Sequence, residues 1–211
     1  MDLPKSTVVN RFIPKEKFYN KTKLNSKIKQ LFTDEIEKIT WLNKIAPETL
    51  NIRAGDYGEL QIFEIKLKSS NISPAVLKHI DTYIPYPILF IINKSNASKA
   101  IISYKENVSK NQDNMKVESY FETGWEKQLN LELKGRSVDE IYKNYLFQIE
   151  PSLKNINRTD TKEAVASVKY KYSLQAKIDS INKKIKNELS DSKKQELARE
   201  RFKLEQERNQ P

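Results

Sequence analysis

The chain has 211 residues, 37% of them apolar, one His, no Cys and a formal net charge of +10. That length suits one globular domain plus an appendage. The absence of Cys excludes a disulfide framework and any thiolate metal site, and no apolar run approaches the ~20 residues of a membrane span. The N-terminal MDLPKSTVVNRF has no apolar signal-peptide core, so a cytoplasmic protein is the expectation.

Residues 1–24 read as a basic arm, with Val8, Val9, Phe12, Ile13 and Phe18 available to pack on a core domain spanning 25–151. A helix is predicted from Asn25 or Ser26, with Ile28, Leu31, Phe32, Ile36, Ile39 and Leu42 on one face and Pro47 ending it. Leu50–Arg53 reads as a short strand, followed by a turn over 54–58. Leu60–Lys68 alternates strictly, placing Phe63, Ile65 and Leu67 on one face and Ile62, Glu64 and Lys66 on the other. Ser73-Pro74 starts a helix whose face carries Val76, Leu77, Ile80, Tyr83 and Ile84; Pro85 and Pro87 stop it.

The apolar run Ile88–Ile92 suits a strand buried on both faces, and a polar turn from Asn93 to Ser98 leads into a hairpin partner over Ala100–Tyr104. A polar loop over 105–114 follows, then strands at Lys116–Glu122 and Leu129–Leu133. Ser137 with Glu140 forms a capping box opening a helix with Ile141, Tyr145, Leu146 and Ile149 on its face. Residues 152–168 read as a linker. The fold expected is α/β or α+β, with a mixed sheet of four to six strands, flanking helices and a C-terminal helical, coiled-coil tail.

In that tail, 169–211, Leu174, Ile178, Ile181 and Ile185 recur at intervals of four, three and four. A stripe that narrow requires a covering helix, from the same chain, a second copy or another protein. Ser190–Ser192 interrupts the pattern, and a second stripe of Leu197, Phe202 and Leu204 follows, so a single helix and an antiparallel hairpin both fit.

The charge sits at the ends. Residues 1–30 carry eight basic and two acidic side chains, and 169–211 carry twelve basic and seven acidic. Such ends suit non-specific nucleic-acid contact, with Lys183, Lys184, Lys186, Lys193 and Lys194 as phosphate partners. An AT-rich coding bias produces the same excess, since 31 Lys stand against seven Arg, and Arg is the better reader of bases.

Catalytic vocabulary is sparse. His79 is the lone His, four Gly do not compose a phosphate-binding loop, and nucleophilic schemes that need Cys are excluded. One pattern carries chemistry. Glu64-Ile65-Lys66 places a carboxylate and an amine on one strand face, as in metal-dependent nucleases of the PD-(D/E)xK type, with Asp56 as second carboxylate. Mg²⁺ would be the cofactor under that alternative; otherwise none is implied. An ordinary Glu–Lys pair on a wet strand face produces the same pattern. The aromatics Tyr83, Tyr86, Phe90, Tyr104, Tyr120, Phe121 and Trp125 suit base stacking or, more simply, core packing.

Several stretches together resemble a known family: LPKSTVVNRFIPKEKFY, ITWLNKIAPETLNI, LQIFEIKLK, VLKHIDTYIPYPILFII, AIISYKE and the lysine-rich tail. The chain resembles, over essentially its whole length, the bacterial family labelled domain of unknown function 4391. The resemblance implies a setting: members tend to be encoded beside helicases and DNA methyltransferases in defence clusters. It transfers no catalytic residues. Three expectations follow. The first is a non-enzymatic accessory subunit of a DNA-directed defence or restriction-modification-like assembly, docking a helicase, a methyltransferase or a second copy through its coiled coil. The second is the Mg²⁺ nuclease. The third is a protein-binding module without DNA contact.

Overall fold

The computed structural model describes residues 1–19, 26–107, 115–154 and 161–210. They divide into two compact units, Met1–Pro151 and Ser152–Pro211. The first is a mixed α/β unit built on one six-stranded sheet, and the second is helical.

The strands lie in chain order: β1 (Val8–Phe12), β2 (Ile36–Ile45), β3 (Leu60–Leu67), β4 (Ile88–Lys94), β5 (Ala97–Asn107) and β6 (Met115–Glu122). Every neighbouring pair is antiparallel except β3 and β4. That exception has a cause. Parallel neighbours need a crossover, and the chain supplies α4 (Pro74–Thr82), started by Pro at its first position as Ser73-Pro74 predicts. The β4–β5 hairpin turns tightly at Ser95-Asn96, with Lys94 paired to Ala97 and Ser95 at φ 50°.

The expected arm therefore contributes an edge strand, with Arg11 opposite Trp41 and Phe12 opposite Thr40. A short helix, α1 (Glu16–Tyr19), follows it. Helix α2 (Ser26–Glu35) begins where predicted, although Asn25 lies outside the described residues. It stops far earlier than Pro47. Lys15 Nζ donates to Ile36 O (2.9 Å), and Lys68 Nζ donates to Thr33 O (3.0 Å), so two cations close its C-terminal end. Residues 36–45 are strand, not helix. Register shifts between Ile36 and Lys38 and between Trp41 and Asn43 mark bulges. They bring Ile36 and Ile39, three residues apart, into the same core, which imitates a helical spacing.

Other boundaries moved for similar reasons. Pro47 opens a one-turn helix, α3 (Pro47–Leu50), instead of ending one. Leu50–Arg53 is not a strand, and Arg53 makes only an isolated bridge to Ser137. β5 runs on through Asn107, absorbing the start of the expected loop; 108–114 lie outside the described residues. Leu129–Leu133 joins no strand ladder, although Leu129 and Leu131 are buried as its alternation predicts. Its backbone is paired by a side chain: Gln148 Oε1 accepts from Glu132 N (2.8 Å) and Gln148 Nε2 donates to Glu132 O (2.9 Å). Gln148 belongs to α5 (Val138–Ile149), which opens at the expected Ser137 cap, with Glu140 N donating to Ser137 Oγ (3.2 Å); the other half of the box is replaced, because Glu140 Oε2 accepts from Arg136 N (2.8 Å).

One face of the sheet packs Phe63, Ile65, Leu67, Phe90 and Ile92 against Phe32 of α2 and Val76, Leu77 and Ile80 of α4. Residues of the opposite parity, Ile62, Leu89, Ile91 and Ile102, are buried too. Burial on both sides explains the unbroken apolar run of β4.

In the second unit, the expected linker 152–168 is only partly irregular. A 3₁₀ turn covers Pro151–Lys154, 155–160 lie outside the described residues, and α6 (Thr161–Asn187) begins well before 169. After three residues, α7 (Asp191–Arg208) packs back along it. Arg201 Nη1 donates to Asn182 Oδ1 (3.3 Å), and Arg208 bonds Gln175. The tail is thus an antiparallel hairpin.

Candidate functional site

Glu64 and Lys66 share one face of β3 and line a concavity of about 410 Å³ with Asn93–Ser98 and Lys127. Their partners are local. Asn93 Nδ2 donates to Glu64 Oε1 (2.7 Å), and Ser98 Oγ donates to Asn93 Oδ1 (2.6 Å). Lys66 Nζ meets Glu37 Oε1 at 2.8 Å on an open surface. Across the ladders, Glu64 faces Thr40 and Ile91, neither a carboxylate.

Asp56 is elsewhere. It sits in the turn before β3, whereas Glu64 lies four residues, roughly 13 Å, beyond the strand's first residue. Asp139, in the first turn of α5, holds that turn: Oδ2 accepts from Asp56 N (2.9 Å) and Oδ1 from Tyr57 N (3.1 Å). Gly55 precedes it at φ +75°, where a Cβ would stand 2.3 Å from Asp139 Cγ. Glu59 is engaged by Lys44 (2.6 Å) and Gln61 Nε2 (2.7 Å). Among the described residues no three His, Asp or Glu side chains converge as a metal site. Glu64 and Lys66 are therefore brought together, and Asp56 does not join them. His79 is packed, its Nε2 2.6 Å from Phe18 O and its ring against Phe32 and Tyr83.

The heptad stripe folds onto its own chain. Leu174, Ile178 and Ile181 are buried, and Ile185, Leu197 and Leu204 are half-buried. The hydrogen bonds that pair Asn182 with Arg201 and Gln175 with Arg208 set Leu204 level with Ile178 and Leu197 near Ile185. The reversal gathers Lys183, Lys184 and Lys186 at the end of α6 beside Lys193 and Lys194 at the start of α7. All are exposed except Lys194, half-buried and 3.6 Å from Asp191. Leu189, between the helices, is 94% exposed.

Two features of the first unit involve residues that the motifs did not single out. One is a buried polar network. Lys105 and Asp81 are both fully buried and pair at 3.0 Å. Lys105 Nζ also donates to Ile84 O (2.5 Å), Tyr86 O (2.8 Å) and Asp81 O (3.2 Å), closing the C-terminal end of α4 with a cation. Tyr120 OH (2.5 Å) and Ser103 Oγ (3.2 Å) donate to the Asp81 carboxylate. Burial drives the Asp81 pKa up against the pull of Lys105 and Tyr120, and drives that of Lys105 down against the pull of Asp81. Both directions mean that desolvation outweighs attraction, as expected for an enclosed pair. The signal was present: Asp81 lies four residues after Leu77 on the apolar face of its helix, and Lys105 shares parity with Ile101 along its strand.

The other is an aromatic cleft of about 430 Å³ lined by Trp41, Phe63, Tyr83 and Tyr86, with Arg11 and Lys17 at its rim and Gln61 within. Strand pairing puts Trp41 beside Phe63, ring centroids 6.4 Å apart and steeply inclined. Of the expected stacking aromatics, Tyr83 and Tyr86 line this cleft, whereas Phe90, Tyr104 and Phe121 are core.

Residues 1–208 match the model of the family described as domain of unknown function (DUF4391), and the chain belongs to that family. No curated protein and no solved structure matches it significantly. Among the described residues, no helix is long and apolar enough to cross a membrane.

Proposed function

We propose that the protein is a non-enzymatic accessory subunit of a DNA-directed bacterial defence or restriction-modification-like assembly, and that it meets the DNA backbone through the tip of its helical hairpin. The observation that carries this reading is the lysine cluster at 183–194, which the reversal of α6 into α7 concentrates at one end. Five lysines there stand against Glu188 and Asp191. Lysine is a point charge on a flexible stem, suited to phosphate rather than to base edges.

Because the hairpin covers much of its own seam, a helicase, methyltransferase or second copy docks on what the hairpin leaves outside, including Leu189 and Phe202, which is 59% exposed. The test is fluorescence anisotropy with labelled duplexes of unrelated sequence. Affinity falls linearly with the logarithm of salt, by roughly 0.9 per phosphate neutralised. Changing Lys183, Lys184, Lys193 and Lys194 to Gln flattens that slope. Salt-independent binding, or a slope unmoved by the four changes, refutes the proposal.

A further inference from the structure

The aromatic cleft of the first unit has no part in the DNA-contact proposal and stands independently of it. We infer that it is a nucleotide-binding site, in which a base lies against the aromatic wall, a base N–H donates to Gln61 and a phosphate meets Arg11 and Lys17.

Gln61 carries the argument. It alternates with Phe63 on the inner face of β3, and only 4% of its surface is exposed. Its Nε2 donates to Glu59 Oε2 (2.7 Å), while its Oε1 is buried with no hydrogen-bond partner among the described residues. The amide orientation is fixed, because the reverse would set Oε1 against a carboxylate. Lys44, 2.6 Å from Glu59, holds that carboxylate in place. A buried acceptor left unpaired costs free energy, and of the five unpaired buried side-chain polar atoms among the described residues only that of Gln61 belongs to a residue lining the cleft.

The rim has the opposite character. Arg11 and Lys17 are exposed and make no ion pair or side-chain hydrogen bond among the described residues. Acceptors inside and cations outside match a ligand with N–H donors at one end and an anion at the other. Trp41, Tyr83 and Tyr86 bring aromatic rings to the same lining, and bases stack on such rings. A cationic peptide side chain would meet repulsion from Arg11 and Lys17, while Glu59, which also lines the cleft, is already paired with Lys44 at 2.6 Å; a purely apolar ligand would leave Gln61 Oε1 unpaired. The volume, about 430 Å³, falls in the ~300–1,000 Å³ range of ligand clefts.

The same chemistry is offered by a free mononucleotide and by a single strand, and one experiment separates them. The chain has two Trp. In a Trp125→Phe background Trp41 alone reports, so stacking in the cleft appears as saturable fluorescence quenching. The full chain is titrated with the four nucleoside 5′-monophosphates, ribose 5-phosphate and a short single-stranded oligonucleotide. Quenching by a monophosphate supports the site with a free nucleotide as source. Quenching by the oligonucleotide alone supports it with a strand as source. Ribose 5-phosphate, lacking the base, is expected to leave Trp41 unquenched. Gln61→Leu is expected to weaken binding about tenfold through the lost hydrogen bond. Arg11→Gln, on an exposed edge-strand position where folding is not at stake, is expected to weaken binding and flatten its salt dependence. No saturable quenching by any nucleotide or oligonucleotide overturns the inference, as does quenching that Arg11→Gln leaves unchanged.

Discussion

Replacing Lys105 with Met tests the buried network directly. The stem length is nearly kept, so the change removes a charge and its hydrogen bonds with little change in volume. The ammonium satisfies three carbonyls, of Asp81, Ile84 and Tyr86, and one carboxylate oxygen. Breaking a buried pair from one side typically costs about 3–5 kcal/mol, because the remaining charge is stranded. Here Tyr120 and Ser103 still donate to Asp81, which moderates the loss, while the freed carbonyls at the end of α4 add to it. We expect about 4 kcal/mol, or roughly 10 °C in melting temperature for a unit of this size. Asp81→Asn should cost less, about 2 kcal/mol, since Lys105 keeps its carbonyls and the amide oxygen still accepts. Removing both partners with Asp81→Leu and Lys105→Met should cost less than the sum of the two single changes by 1 kcal/mol or more, roughly the coupling of a contacting pair. Both Trp lie in the first unit, so urea unfolding followed by Trp fluorescence reports that unit alone. A Lys105→Met cost below about 1 kcal/mol, or strict additivity in the cycle, refutes the account of this pair.

Alkaline pH should destabilise the first unit. Burial pushes the Tyr57 hydroxyl up to about 12 and raises those of Tyr120, Tyr142 and Tyr145 as well. A raised folded pKa gives stability that is whole below the unfolded value near 10 and is lost as pH rises through the folded value. Absorbance at 295 nm should therefore show these four tyrosines staying protonated well past pH 10 until unfolding exposes them; their ionisation near pH 10 contradicts the burial argument. Gly55→Ala forces a Cβ onto Asp139 at a positive φ and should cost about 1–3 kcal/mol, read from the urea midpoint. Ile178→Glu places a charge in the covered seam, so the helical signal at 222 nm should fall while near-ultraviolet signals from the sheet unit persist.

Where local chemistry and global packing agree, the fold was legible. The strict alternation of β3, Ser73-Pro74, the run of β4 and the Ser137 cap all reappear as elements. The failures have physical sources. Bulges in β2 break the period of two, so Ile36 and Ile39 counted as helical neighbours. The alternation of Leu129 and Leu131 is real, but Gln148 pairs that backbone in place of a strand, and nothing local announces a side chain sixteen residues away.

The candidate sites were harder to read, because a motif fixes only the residues on its own element. Period two guarantees that Glu64 and Lys66 share a face; it does not supply a second carboxylate, and β2 presents Thr40 opposite Glu64. The stripe Leu174–Ile185 correctly demanded a covering helix, and the intervening residues 188–190 let the same chain provide it. The cleft depends on residues from four separate stretches: Arg11, Trp41, Gln61 and Tyr83–Tyr86. Each has an ordinary local role, an edge strand cation, a half-buried strand aromatic, an inward amide and a helix end. Only the ordering of β1, β2 and β3 side by side, with the end of α4 returning beside them, places them around one cavity, whose acceptor and rim cations have no side-chain partner among the described residues apart from the Gln61–Glu59 bond. Side chains whose polarity exceeds what their own fold uses are therefore the stronger guide to function in this protein. By that measure Gln61 ranks above Glu64, whose carboxylate already receives the amide of Asn93.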